Sequence, residues 1–136
     1  MSLFVDTSVW YAAASTGDRN NRRAKALLVD ERRVLTDHVL VETWRLIAHR
    51  LSLRHAERWW GGIRGGVAEV EVVGDADLAR AWSIGEQFGD HHFSLVDRTS
   101  FAVMERLGLT RVASFDDDFV VYRYGPRRTR AFTLVR

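Results

Sequence analysis

The chain opens with the stretch LFVDTS at residues 3–8, followed by VWYAAA at residues 9–14. The apolar triplet at its start is typical of a short buried strand, and the Asp-Thr-Ser that ends it consists of helix-capping residue types. The run VWYAAA then continues as a helix. A buried strand that leads directly into a helix indicates the first β–α unit of an α/β sheet.

The same alternation of strand and helix recurs along the rest of the chain. The hydrophobic pattern predicts a turn at residues 89–92, helices over 19–30, 38–51, 54–63, 75–87 and 93–107, and strands at 34–35, 69–73, 111–115 and 131–135. This order favours parallel strands joined by helical crossovers, which is the α/β class, in one domain over residues 1–136. In such sheets ligands bind at the carboxyl ends of the strands.

Composition excludes several kinds of chemistry. The 136 residues are 46% hydrophobic and contain no cysteine, which excludes disulfides, a thiol nucleophile and cysteine-ligated metals. No apolar stretch approaches the ~18 residues that span a bilayer, and no signal-like segment opens the chain. We therefore expect a cytoplasmic protein without a membrane partner.

The basic residues are unusual in type. Lys25 is the single lysine among 20 basic residues, and the formal net charge is +2. Arginine suits phosphate recognition because its planar fork is permanently charged, although a GC-rich genome explains the same bias. A nucleic-acid partner would require these arginines to be clustered away from the acids.

Four acids interrupt segments that otherwise read as buried. Asp6 follows the first strand, Glu42 lies within VLVETW at residues 39–44, Asp97 lies in the first turn of a helix, and Asp116 follows a strand. Each alone has a structural explanation: a helix cap, a pair with a neighbouring arginine, a capping box with Ser94, or a solvated turn.

Together the four acids point to a metal site. Carboxylates ~4 Å apart repel by roughly 4 kcal/mol per pair at an effective dielectric near 20. A cluster of that kind must stay partly protonated or bind a cation, and hard oxygen ligands select Mg²⁺ or Mn²⁺. Such metals activate water and stabilise both oxygens of a phosphodiester displacement. Metal-dependent phosphodiester hydrolysis is the predicted reaction class.

Four motifs give the pattern a specific likeness. In order they are FVDTSVW at residues 4–10, VLVETW at 39–44, FSLVDRTSFAVM at 93–104 and ASFDDDF at 113–119. This series resembles the PIN domain, and more narrowly the VapC toxin ribonucleases of type II toxin–antitoxin systems. The resemblance implies a PIN-like three-layer sandwich with a mostly parallel five-stranded sheet flanked by helices. It also implies Mg²⁺- or Mn²⁺-dependent cleavage of single-stranded or looped RNA.

The resemblance assigns roles residue by residue. The catalytic, metal-binding acids are Asp6, Glu42, Asp97 and Asp116. Asp118 matches a further acid of some members, which leaves open whether it or Asp116 is the main fourth ligand, and Asp117 is expected to face solvent. Supporting roles fall to Thr7, Ser8 and Ser94. Whether one or two metal ions bind is also open.

Substrate and partner contacts follow less directly. Arg98 and the run Arg127, Arg128 and Arg130 are candidate phosphate contacts, and a solvated edge is the alternative. His91 and His92 are expected to be loop residues rather than metal ligands, with substrate contact as the alternative. Family members form homodimers and are neutralised by a VapB-type antitoxin, so both partners are expected here. The RNA is a ribosomal loop or, alternatively, a transfer RNA anticodon loop.

Three other readings compete. A haloacid-dehalogenase-like phosphatase needs an aspartate at position 8, where this chain has serine, and a receiver domain needs a late lysine, whereas the only lysine is Lys25. The remaining alternative is a PIN-like module that binds RNA or a partner without cleavage. That alternative predicts a broken acid set, and the set here is intact.

Overall fold

The computed structural model describes residues 1–136. Its strands are β1 (Ser2–Val5), β2 (Arg32–Thr36), β3 (Glu69–Glu71), β4 (Arg111–Ala113) and β5 (Thr133–Val135). Its α-helices are α1 (Thr7–Ala14), α2 (Asn21–Leu27), α3 (Asp37–Arg50), α4 (Leu53–Gly62), α5 (Asp75–Gln87), α6 (Leu95–Leu107) and α7 (Asp118–Val121). A π-helical turn at Ile63–Val67 and a 3₁₀ turn at Pro126–Arg128 complete the chain.

The five strands form one sheet in the order β3-β2-β1-β4-β5, and every pairing is parallel. The predicted α/β sandwich is thus confirmed, with a sheet that is wholly rather than mostly parallel. Right-handed crossovers place α1 to α4 on one face and α5 to α7 on the other. The strand order reverses between β1 and β4, so the carboxyl ends of these two strands form the topological switch point.

The core explains the short apolar runs of the sequence. Strands of a parallel sheet covered on both faces read as continuous hydrophobic segments rather than alternating ones. Leu3, Phe4 and Val5 of β1 and Val112 and Ala113 of β4 are all completely buried. The acids that follow these two strands therefore emerge from the most buried part of the sheet. None of the helices is both long and apolar enough to cross a lipid bilayer.

Element boundaries differ from the sequence predictions mainly at the termini. Strands predicted at 69–73, 111–115 and 131–135 shorten to three residues each, and the helix predicted over 19–30 shortens to Asn21–Leu27. The helix over 75–87 is confirmed at both ends. The short helix α7 was not predicted, because three consecutive aspartates favoured a solvated turn.

An ion pair between the partly exposed Arg106 and the buried Asp77 joins α6 to α5. The Arg106 guanidinium donates to both carboxylate oxygens of Asp77, with Nε to Oδ1 at 2.9 Å and Nη2 to Oδ2 at 3.1 Å. Asp77 is buried and also accepts a hydrogen bond from the Gly74 amide. The ion pair therefore joins the last turn of α6 to the first turn of α5, at the opposite end of α6 from Asp97.

Candidate active site

Asp6 lies at the carboxyl end of β1 and is only 3% exposed. Its amide donates to the Ala113 carbonyl of β4 at 3.0 Å, and its own carbonyl accepts the first hydrogen bonds of α1. Asp6 is the N-cap residue of α1, as one of the structural explanations predicted, but its side chain makes no capping hydrogen bond to the helix. The carboxylate instead turns toward the switch point between β1 and β4.

Two serine hydroxyls hold the Asp6 carboxylate. Oγ of Ser8 and Oγ of Ser114 both donate to Asp6 Oδ2 at 3.0 Å. Each hydroxyl also accepts a backbone amide, Ser8 from Phe115 and Ser114 from Asp116, both at 3.0 Å. The supporting role predicted for Ser8 has this physical basis: the two serines connect the end of β1 to the segment that follows β4.

Ser114 was missed in the sequence analysis. It is completely buried, one residue beyond β4, and two residues before Asp116. A buried hydroxyl rarely occurs at a strand end without a partner, and the pairing of β4 with β1 supplies Asp6 as that partner. The signal in the sequence was the Ser-x-Asp spacing after a predicted strand. This spacing becomes informative only when the strand order shows that β4 lies beside β1, which is followed directly by Asp6.

We expect Ser114→Ala to raise the pKa of Asp6 further above its usual range, because the hydrogen bond from Ser114 lowers it. Loss of a buried bond to a carboxylate should also cost about 1–3 kcal/mol of unfolding free energy. An NMR pH titration and thermal melts measure both effects. Ser100→Ala is the matched control, because the buried Ser100 hydroxyl has no hydrogen-bond partner. An unchanged Asp6 titration would contradict the assigned bond.

Asp97 has two structural relations at once. It is the third residue of α6 and forms a capping box with Ser94: Ser94 Oγ accepts from the Asp97 amide at 3.0 Å, and Asp97 Oδ2 accepts from the Ser94 amide at 3.3 Å. The capping explanation is therefore correct for this residue, and Ser94 holds Asp97 through this capping box. The same carboxyl also interacts with Asp118 and Asp6, so helix capping is not its only interaction.

Four acids form two carboxyl pairs at the switch point. Asp116 accepts a hydrogen bond from Asp6, and Asp118 accepts one from Asp97. The two pairs are themselves close enough for the charge of Asp6 to act on Asp97. Both Asp116 and Asp118 therefore belong to the cluster, each with a different partner. Asp117 points away, with an 81% exposed side chain paired to Arg136, as predicted.

Burial and mutual repulsion raise the pKa values of these acids. The pKa of Asp6 rises to about 6, mainly because burial disfavours its charge and secondly because Asp116 is negative. The pKa of Asp97 rises to about 8, through burial first, then the hydrogen bond to Asp118 and the charges of Asp6 and Asp118. Burial also raises the pKa of Asp116. Perturbed acids gathered in one place mark a candidate functional site.

The donor set fits a hard divalent cation. The side chains as they stand do not bring three or more ligands to one point. The four carboxyls lie instead in the two pairs described above. A cation that replaces the shared protons removes the reason for pairing and offsets the repulsion between the carboxylates. The chemistry of Asp6, Asp97, Asp116 and Asp118 therefore suits Mg²⁺ or Mn²⁺.

Glu42 is placed beside this cluster rather than within it. It lies on α3, partly buried, and makes no hydrogen bond or ion pair, so the alternative pairing with Arg45 is not formed. It lines a cavity of about 640 Å³ together with Val96, the residue before Asp97. Thr7 is held toward the same helix, because Thr43 Oγ1 donates to Thr7 Oγ1 at 3.2 Å.

The candidate substrate arginines are dispersed. Nη1 of Arg98 donates to the Ala81 carbonyl at 3.2 Å, so this side chain lies across α5 and not over the acids. Arg127 and Arg128 line a cavity of about 460 Å³, and Arg128 stacks over Phe88 with its Cζ 5.2 Å from the ring centre. Arg130 closes their loop through an antiparallel bridge with Tyr124.

Comparison with known proteins gives a consistent result. The family model described as PIN domain matches residues 3–123. A curated relative named 23S rRNA-specific endonuclease VapC20, from Mycobacterium tuberculosis, is 38% identical over 120 residues, which cover 86% of this chain and 91% of that protein.

Solved structures agree with the sequence match. The crystal structure of Mycobacterium tuberculosis VapC20, described as a sarcin–ricin loop cleaving toxin, superimposes with a TM-score of 0.82 at 35% identity, covering 88% of this chain and 93% of that one. VapBC2 from Rickettsia felis, solved bound to a DNA fragment from its promoter, gives a TM-score of 0.67 at 13% identity, with 99% and 98% covered. The second likeness concerns the fold alone.

Proposed function

The chain belongs to the PIN-domain family and, within it, to the VapC endonucleases, and from this premise we propose that it is the ribonuclease toxin of a toxin–antitoxin pair. The proposed substrate is a structured loop of ribosomal RNA. The relative with 38% identity is named a 23S rRNA-specific endonuclease, and the crystal structure of VapC20 is described as that of a sarcin–ricin loop cleaving toxin. This likeness favours a ribosomal loop over a transfer RNA anticodon loop.

The observation that carries the proposal is the acid cluster at the switch point. Asp6, Asp97 and Asp116 all have raised pKa values, which means that their shared position destabilises the fold. A cluster that costs stability calls for a functional reason. A binding module without cleavage, the alternative reading, has no need for these four carboxyls.

The residues proposed to hold a divalent ion are Asp6, Asp97, Asp116 and Asp118, with Glu42 approaching from α3. Bound there, Mg²⁺ or Mn²⁺ lowers the pKa of water and offsets negative charge on a phosphodiester under attack. Ser8 and Ser114 orient Asp6, and the cap of α6 orients Asp97. Glu42 has no partner in the protein and is free to turn from its cavity toward the other acids.

The test is cleavage of a synthetic RNA hairpin that carries the sarcin–ricin loop. The protein with Mg²⁺ or Mn²⁺ should cut it within the loop, and excess chelator should stop the reaction. Mapping the 5′ ends of the fragments locates the cut, and a transfer RNA anticodon stem-loop is the competing substrate. Cleavage that persists in chelator would contradict the metal proposal, and no cleavage of either RNA would contradict the ribonuclease proposal.

A cluster of arginines is the proposed grip on the RNA backbone. Arg123, Arg127 and Arg128 line the 460 Å³ cavity without any carboxylate partner. Arg127 and Arg128 have positive φ angles of 56° and 52°, which are strained for side-chain-bearing residues. Strain of this kind is retained where a loop serves a function.

We expect Arg127→Ala and Arg128→Ala each to weaken RNA binding uniformly across sequences. Each lost phosphate contact should reduce the slope of log affinity against log salt by about 0.7, the value for single strands. Binding titrations between low and moderate salt measure this slope. Arg22→Ala, on α2, is the control, because Arg22 is exposed and makes no ion pair. Equal slopes for all three variants would contradict the assignment.

An apolar surface around α3 and α4 is the proposed site for partner proteins. We expect a VapB-type antitoxin and a second copy of the chain to compete for the apolar surface around α3 and α4. That surface includes a wholly apolar cavity of about 180 Å³ lined by Leu40, Val41, Trp44 and Trp60. Of the two tryptophans in α4, Trp59 packs against the core, whereas Trp60 is partly exposed and belongs to the accessible part of this surface.

A further inference from the structure

One aromatic side chain is exposed without any structural partner. Trp82, in α5, is 71% exposed and makes neither a hydrogen bond nor an aromatic contact within the chain. A single exposed apolar side chain is common on protein surfaces, so the informative feature is where this ring lies: Trp82 is part of the lining of a cavity that also contains polar side chains. No other exposed aromatic residue of the chain combines this degree of exposure with a place beside a polar cavity.

Trp82 stands at the edge of a cavity of about 300 Å³ between α5 and α6. His91, His92, Phe93 and Arg98 line the same cavity. The loop that carries the two histidines leads directly into Ser94, the cap of α6, so the cavity and Asp97 share the first turn of that helix. The cavity is therefore adjacent to the acid cluster but contains none of its acids.

A glycine shapes the floor of this cavity. A Cβ atom at Gly85 would lie 2.1 Å from Nη1 of Arg98, so glycine allows the guanidinium to lie across α5. Nη1 uses one donor on the Ala81 carbonyl, and Nε is buried without any acceptor. Several of the five guanidinium donors thus remain unmatched by protein atoms beside the cavity.

The lining has the chemistry of a site for an unstacked base. Unpaired RNA bases are recognised by stacking on aromatic rings or guanidinium planes and by hydrogen bonds to their edges. Trp82 provides an exposed ring, His91 is an exposed residue stacked on Phe93 with ring centroids 5.5 Å apart, and Arg98 provides donors. Glu86, also in the lining, provides an acceptor. An apolar peptide would leave these polar groups unmatched.

We propose that this cavity, hereafter the Trp82 cavity, binds one nucleobase of the RNA substrate, turned out of its loop and stacked on the indole of Trp82. The inference rests on the proposed ribonuclease function and adds a specificity site to it. The arginine-lined cavity described above lies on the other side of the end of α5, since Glu86 lines one cavity and Gln87 the other. A base site and a phosphate site thus flank the same helix end.

The test is a double-mutant cycle between protein and RNA. The probe is the sarcin–ricin loop hairpin, together with a set of hairpins in which one loop nucleotide at a time is abasic. Binding is measured with Asp97→Asn protein, which retains the hairpin intact. Trp82→Ala is compared with Trp82→Phe, and Val29→Ala is the control for truncation of an exposed apolar side chain, since Val29 is 60% exposed and lines none of the cavities described above.

Trp82→Ala should weaken binding about 5- to 150-fold, the range for loss of one base–aromatic stack, and Trp82→Phe should retain most of the affinity. One abasic position should lose the same factor against Trp82 and nothing further against Trp82→Ala. Val29→Ala should match the parent. Thermal melts should show all variants folded, because both side chains are exposed.

Binding by Trp82→Ala within twofold of the parent would overturn the inference, as would an equal loss for every abasic position. A Trp82→Ala effect confined to oligomeric state or antitoxin binding would overturn it as well, in favour of a protein interface. Cleavage of the unmodified hairpin by protein with Asp97 intact tests the ribonuclease proposal separately. If Trp82→Ala protein binds and cleaves the hairpin normally, the ribonuclease proposal holds and the base-site inference fails. If Trp82 couples to one nucleotide but the protein with Asp97 intact does not cleave, the base-site inference holds and the ribonuclease proposal fails.

Discussion

Asp97→Asn is expected to reduce RNA cleavage by more than about 100-fold, while the protein remains as stable as the parent or more so. Loss of residues that merely support metal ligands costs about 10- to 100-fold, so loss of a direct ligand should cost more. The pKa of Asp97 is raised to about 8, so the ionised side chain is unfavourable in its place and a neutral amide relieves that cost. Asp6→Asn should behave in the same way, with Asn still able to accept from Ser8 and Ser114.

The paired readout separates chemistry from folding. Initial cleavage rates of the hairpin and thermal melts are measured on the same preparations. Asp117→Asn is the matched control, because it makes the same carboxylate-to-amide exchange in an 81% exposed side chain between Asp116 and Asp118. This variant should cleave at the parent rate. Retention of activity by Asp97→Asn, or a lower melting temperature, would contradict the assignment.

Metal-free protein is expected to lose stability as pH rises from about 4 to about 8, and divalent metal is expected to restore it. The folded-state pKa values of Asp6 and Asp97, about 6 and about 8, lie above the ordinary 3.8. The folded chain therefore binds these protons more tightly than the unfolded chain. That stability is complete below about pH 4 and is lost as pH passes through each folded-state pKa.

The shift of the buried Asp6 alone corresponds to roughly 3 kcal/mol, which is a drop of the order of 10 °C in melting temperature for a domain of this size. Mg²⁺ or Mn²⁺ at about 100 times its dissociation constant should return about 2.7 kcal/mol at pH 8 and much less at pH 5. Thermal melts across this range, with KCl of equal ionic strength as the control, measure both effects. A melting temperature that is flat with pH, or equal with KCl and MgCl₂, would contradict the acid cluster.

The sequence predicted structure best where the spacing of apolar residues and the expected burial favour the same element. The helix over residues 75–87 was predicted at both ends because its apolar spacing and acidic first turn favour the same structure. Asp6 and Asp116 were predictable as neighbours because each follows a buried parallel strand, and such strand ends share one edge. Strand length was less predictable, since the chain bends away from the sheet just where Asp6 and Ser114 turn toward each other.

Side-chain direction on short or capped elements was the part that sequence could not supply. Arg98 follows Asp97 directly, which suggested a shared substrate, but one residue turns the side chain by about 100° around a helix and carries it onto α5. Asp118 opens the unpredicted helix α7 and so reaches Asp97, whereas Asp117 beside it faces solvent. Both outcomes depend on the direction in which each residue points from its helix. A run of three aspartates does not specify where α7 begins, and therefore does not specify which aspartate points toward Asp97.

The hydrogen bonds of the acids limit how many oxygens remain for coordination. In Asp6, Oδ2 serves both serines, and in Asp97, Oδ2 serves the Ser94 amide, so each keeps only Oδ1 for another ligand. Each of these two acids would then offer one oxygen, Oδ1, to a bound Mg²⁺. Water and the phosphate oxygens of a substrate would have to supply most of the other ligands, as is usual for Mg²⁺ ions that act on a substrate.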